Sequence, residues 1–100
     1  MALEELQKEY LKGITIVLSD SPKDKREGWF DVQNNTVVIN VGHPLHRKFE
    51  HSANILQYHH ARVIASVLVQ LAFKKKSMTV QEATELQTEF LIKMMDRLWL

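Results

Sequence analysis

The chain contains no cysteine, and among its 100 residues there are only three glycines and two prolines. Without cysteine there is no disulfide, no thiolate nucleophile and no Cys-based zinc site, a composition suited to a reducing cytoplasm. Glycine is confined to Gly13, Gly28 and Gly42, so there is no glycine-rich turn of the kind that cradles phosphates or surrounds a catalytic serine. Charge of one sign is missing too. Thirteen Lys+Arg stand against twelve Asp+Glu, a formal +1, and no global field draws the chain to nucleic acid or anionic lipid. The longest apolar stretch, residues 61–73, is interrupted by Arg62, Ser66 and Gln70 and falls short of the ~20 residues that span a bilayer. The acidic, amphipathic start around Leu3, Glu4, Glu5 and Leu6 lacks the basic and apolar regions of a signal peptide. A cytoplasmic protein without a membrane segment is the expectation.

What is present is enough for one modest core. The sequence is 45% hydrophobic and 25% charged, near the globular average, and its length fits one domain over residues 1–100. No repeat, low-complexity segment or Gly/Ser linker divides it. Whether that domain is a whole protein or a C-terminal piece of a larger one stays open at this point.

Leu3, Leu6, Tyr10 and Leu11 recur at helical spacing and Gly13 suits a helix C-terminus, which predicts a short N-terminal helix. Ile14-Thr15-Ile16-Val17-Leu18 reads as a strand, followed by a polar loop over 19–28. Residues 29–33 and 36–41 read as a hairpin turning on Asn34-Asn35, because asparagine tolerates the positive φ of a tight turn. Three strands predict a small antiparallel sheet. Pro44 suits the first position of a helical turn over 45–49.

A long helix is predicted over residues 53–76. His59, Arg62, Ser66, Gln70 and Lys74 form one narrow polar stripe on it, while Ile55, Leu56, Val63, Ile64, Val67, Leu68, Leu71 and Ala72 cover the rest. A helix with so little polar surface needs neighbours on several sides. Thr79-Val80-Gln81-Glu82 fits a capping box and starts a last helix near Val80, with Ala83, Leu86, Phe90, Leu91, Met94, Met95 and Leu98 on its apolar face. The expected architecture is α+β: a short first helix, the sheet, then two or three helices around one buried central helix.

The chemistry-bearing candidates are few. His43 and His46 stand in a His-x-x-His spacing, and His59 with His60 follow, so His43, His46 and His59 are the candidate metal ligands. Adjacent helical residues point about 100° apart, which keeps His59 and His60 from gripping one ion together. The competing reading makes His43 and His46 loop caps and His60 a half-buried helix residue. Ser19, Ser21, Ser52, Ser66 and Ser77 sit in loop, cap or helix positions without a nucleophile's turn. The carboxylates Glu4, Glu5, Glu82, Glu85 and Glu89 fall on solvated helix faces. Lys23, Lys25 and Arg26, and Lys74, Lys75 and Lys76, are the basic clusters, with Trp29 and Phe30 as stacking platforms of which one should face the core. Glu50 and Asn54 have a Glu-x-x-x-Asn spacing, one helical turn apart.

The segment Asn35-Thr-Val-Val-Ile-Asn-Val-Gly-His-Pro-Leu-His46, followed by a long Ala/Val/Leu helix, resembles the C-terminal region of some bacterial proteins that carry an ATPase domain of the gyrase, histidine-kinase and chaperone superfamily. The resemblance runs over residues 29–73 and rests on Val38, Ile39, Asn40, His43 and Pro44. It implies an accessory module for packing, dimerisation or relaying closure. It brings no catalytic residue with it, and the Asp-x-Gly-x-Gly turn and glycine-rich lid of the ATPase domain are missing.

The expectation is therefore a non-catalytic structural or interaction domain without a cofactor, acting in assembly or dimerisation and accessory to an ATPase. Its partner would be a second copy or another domain of the same protein, not nucleic acid or membrane, and Met94, Met95 and Trp99 are the candidate contact residues because flexible methionines adapt to partner surfaces. The alternative is a small His-based metal-binding or nucleic-acid-binding module.

Overall fold

The computed structural model describes residues 13–98, with side chains through Asp96. The predicted first helix and Trp99 lie outside the described residues. Strands β1 (Thr15–Ser19), β2 (Gly28–Asp31) and β3 (Thr36–Asn40) precede helices α1 (Pro44–Phe49), α2 (Ala53–Lys75) and α3 (Val80–Leu98). The α+β class is as expected.

The sheet is mixed, not antiparallel. Its order is β1-β3-β2, with β3 antiparallel to β2 and parallel to β1. The physical reason lies at the end of β3, where the fully buried Asn40 side chain organises the loop between β1 and β2. Its Oδ1 accepts from the Ser21 and Gly42 amides at 3.0 Å, and its Nδ2 donates to the carbonyls of Ser21, Asp24 and Arg26 at 2.9, 3.2 and 3.0 Å. That loop is thereby carried over the end of β3, and β2 returns on its far side. The strand richest in buried β-branched side chains takes the centre, where both edges are paired.

The hairpin between β2 and β3 is longer than the predicted two-residue turn. Asp31 pairs with Thr36, leaving a four-residue connection in which Asn35 alone among non-glycine described residues has positive φ, 49°. The Asp31 carboxylate accepts from the Asn34 amide and side chain, closing the turn. Asn35 Nδ2 donates to the Gly13 carbonyl at 3.0 Å and so ties the entry of β1 to the hairpin.

α2 lies over β2 and β3 on one side and against α3 on the other. Val37, Ile39, Val63, Ile64, Leu68, Phe90 and Met94 fill the space between, with Phe30 packed against them. Gly28 permits this approach: a Cβ there would stand 2.6 Å from Val63 Cγ1 and 2.7 Å from the Val38 carbonyl. Leu86, Phe90 and Met94 form the buried line of α3, and its start is the predicted capping box, with Thr79 Oγ1 accepting from the Glu82 amide at 3.1 Å and Glu82 Oε1 from the Thr79 amide at 3.0 Å. Met94, expected as a contact residue, is 2% exposed inside this core, and Met95 packs against its margin. Among the described residues no helix is long and apolar enough to cross a membrane.

Candidate functional site

Most of the titratable groups the structure brings together meet where α1 joins α2. His43 precedes α1 as its N-cap, its Nδ1 accepting from the Leu45 amide at 3.0 Å, and Pro44 stands at the first turn, where its missing N–H costs nothing. These caps set the direction of a six-residue helix whose buried residue is His46.

His46 meets two histidines of α2. Its Nε2 lies 2.9 Å from His60 Nε2, the two rings stacked with centroids 5.1 Å apart. Its other neighbour is His59, edge-on at 5.6 Å, which also touches Phe49 at 5.3 Å. Residues 59 and 60 point in different directions from the helix, as expected, yet both reach His46 because it lies across them. The polar stripe predicted on α2 is displaced at its start: His59 is fully buried, while Arg62, Ser66, Gln70 and Lys74 keep partial or full exposure.

His59 is positioned by charge. Arg62 donates to His59 Nδ1 at 3.2 Å and forms an ion pair with Glu27 from the β1–β2 loop. A guanidinium has donors only, so His59 Nδ1 accepts and the proton of the neutral ring resides on Nε2. That Nε2 and the Nδ1 of His46 are buried without a hydrogen-bond partner. Burial opposes ionisation of Glu27, but its bonds to Arg62 outweigh this and hold the carboxyl below its usual range. Burial pushes all three imidazoles down. His59 falls to about 4, with Arg62 adding to the effect and Glu27 opposing it; for His46, Glu50 opposes and Arg47 assists; for His60, His46 assists.

Beside this cluster runs an open groove of about 510 Å³, floored by Val63, Ser66, Val67 and Gln70 of α2 and walled by the β1–β2 loop and by His43 and Leu45. Of the basic residues in that loop, Arg26 is bound to Asp24 at 2.8 Å and lies 4.6 Å over the Trp29 ring, while Lys25 lines the groove. Trp29 thus sits under a cation and Phe30 faces the core, the division expected from strand alternation.

Of the three proposed metal ligands, His46 and His59 come together and His43 serves as a cap. Among the described residues no group of three or more His, Asp or Glu side chains is placed to hold an ion. Glu50 and Asn54 do not share a helix: Glu50 caps the end of α1 and Asn54 lies in the first turn of α2 beyond the break at His51 and Ser52, so the one-turn spacing is lost. The His46–His60 bond and the Glu27–Arg62 pair were not foreseen from sequence. They join residues 14 and 35 positions apart, beyond any local periodicity.

No family model, curated protein or solved structure matches this chain.

Proposed function

We propose that this chain is a non-catalytic assembly domain that pairs with a second copy of itself along the outer edge of β1. The observation that carries this reading is the exposure of Ile16, Val17 and Leu18, at 41, 43 and 59%, on a strand whose parallel neighbour β3 is buried throughout. Among the described residues no strand pairs with that edge. The other edge of the sheet is managed differently: β2 has four residues, ends in the charged Asp31, and carries Arg26 over Trp29. β1 has no charge and no proline in Thr15–Ser19, so two of the usual devices against edge pairing are missing from the strand itself.

The absence of charge also supports self-pairing in particular. An antiparallel pair of β1 strands about a two-fold axis at Val17 sets Val17 against Val17 and Ile16 against Leu18, with no like charges opposed, and extends the sheet to six strands. The histidines and ion pairs near α1 hold that helix and the loop in place and leave this edge untouched. The phrase that resembles an ATPase-associated region has structural duties here, Asn40 under the loop and His43 and Pro44 at the start of α1. An ATPase-bearing protein is the proposed larger setting, and β1 is the proposed contact.

Sedimentation equilibrium from about 10 to about 500 µM tests this. The weight-average mass is expected to rise from 11.7 kDa toward twice that value. Val17→Lys and Val17→Glu should each remain monomeric, because the axis brings like charges face to face, while their equimolar mixture should associate again. A wild-type chain that stays monomeric throughout, or a mixture that fails to associate, overturns the proposal.

A further inference from the structure

α1 meets α2 through rings. Its buried residue is His46, set between His59 and His60, and Phe49 adds one contact with His59. Among the described residues no carboxylate hydrogen-bonds to any of these three imidazoles. The bonds that do exist need neutral rings. A His–His bond requires an acceptor nitrogen on one side, so it survives one proton and not two. The Arg62–His59 bond requires an unprotonated Nδ1, and an imidazolium there would face the guanidinium at 3.2 Å.

From this geometry we infer that His46, His59 and His60 form an acid-sensitive latch, which docks α1 on α2 while the rings are neutral and releases it when they take up protons. Release carries His43 and Leu45 away from the groove they line and so widens it on the α1 side. The latch is independent of the β1 edge.

The charged groups around the rings set the direction. From α1, Arg47 disfavours and Glu50 favours an imidazolium at His46; from α2, Arg62 disfavours one at His59; from the β1–β2 loop, Glu27 favours it but is bound to Arg62. His43 and Glu27 line the same groove, and Arg47 lies 3.7 Å from Asp20. Burial of the rings outweighs the two carboxylates, and all three histidines are held below their ordinary 6.5. Between that value and about 4 for His59, the docked form binds fewer protons than the open form, so stability of the docked form is complete above 6.5 and is lost as pH falls.

The experiment follows the ring nitrogens and the backbone amides of the whole chain by NMR from about pH 7.5 to about pH 4.5, spanning the range of histidine titration. The three rings should titrate below 6.5, and the α1 amides, after correction for intrinsic exchange, should lose protection at least about tenfold over the same interval while the amides of Ile39 and Phe90 keep theirs. His46→Phe keeps a ring that cannot be charged and should move α1 release down by at least about one pH unit; His51→Gln, on the exposed connection, should not move it. Rings that titrate without any change in α1, α1 amides already unprotected at neutral pH, or loss of α1 only together with β3 would each overturn the latch. If His46→Phe fails to fold, the wild-type titration decides alone.

Discussion

β1 and β3 run side by side in parallel and nearly match in composition, Thr-Ile-Val-Leu-Ser against Thr-Val-Val-Ile-Asn, yet all five residues of β3 are buried while Thr15, Ile16, Val17 and Leu18 are exposed. Strand propensity does not separate them, since both are β-branched and apolar on both faces. Position does. β3 is paired on both edges and lies under α2, whereas β1, among the described residues, is paired on one edge and α2 lies over β2 and β3. The last residue of each strand decides which is central: Asn40 can accept and donate at once and gathers the loop over β3, and Ser19, its partner in register, reaches only Ser21 at 3.0 Å. A sequence that would suit a strand buried on both faces is thus used once inside the sheet and once at its rim.

Two pairs of substitutions, each made across one rung of the β1–β3 ladder, put numbers on this difference. Leu18 and Ile39 are partners, at 59 and 1% exposure. Ile39→Ala should cost about 3 kcal/mol in denaturant unfolding, because it leaves a cavity beneath α2, and Leu18→Ala at most about 1 kcal/mol at dilute concentration. Equal losses would mean that β1 is as enclosed as β3. One rung further, Asn40→Ala removes the partner of the Ser21 and Gly42 amides and of the Asp24 and Arg26 carbonyls, the Ser21 carbonyl keeping its bond from the Asp24 amide, and should cost about 2–3 kcal/mol, with Ser19→Ala nearer about 0.5 kcal/mol. If Asn40→Ala were as mild as Ser19→Ala, the loop would owe its course to something other than that side chain.

How much of this was readable beforehand depends on the range of the interaction. The three strands, the long helix, and the helix beginning at Val80 all follow from periodicities or caps within a few residues, and the Thr79–Glu82 capping box is present as read. Strand order was not readable, because Asn40 is an ordinary end-of-strand polar residue until its partners 14 to 19 positions away are known. The cluster shows the same limit. His46 and His59 could be singled out by residue type, but the ring that completes the pair is His60, and the carboxylate that steadies Arg62 lies 35 residues earlier. His43 was correctly placed among the alternatives as a cap, a local property. Met94 went into the core because the apolar face that marks it as adaptable is the same face that packs on α2.

The smallest expected effects lie at the first rung, where Thr36 Oγ1 bonds to the Asn34 carbonyl at 2.9 Å and to Thr15 Oγ1 at 3.4 Å. Thr36 is buried and Thr15 exposed, so the hydroxyls differ in what their loss leaves behind. Thr36→Val removes a buried hydroxyl that holds the carbonyl of the exposed turn residue Asn34 and should cost about 1 kcal/mol in unfolding. Thr15→Val removes a hydroxyl whose partner keeps its better bond and adds a methyl to an already apolar edge, so the single chain should change by no more than about 0.5 kcal/mol. In sedimentation, the same substitution should tighten self-association no more than about tenfold, through the added apolar area on each copy. Weakened association would instead mean that the Thr15 hydroxyl is itself a contact, with the two β1 strands meeting in a register other than the one centred on Val17.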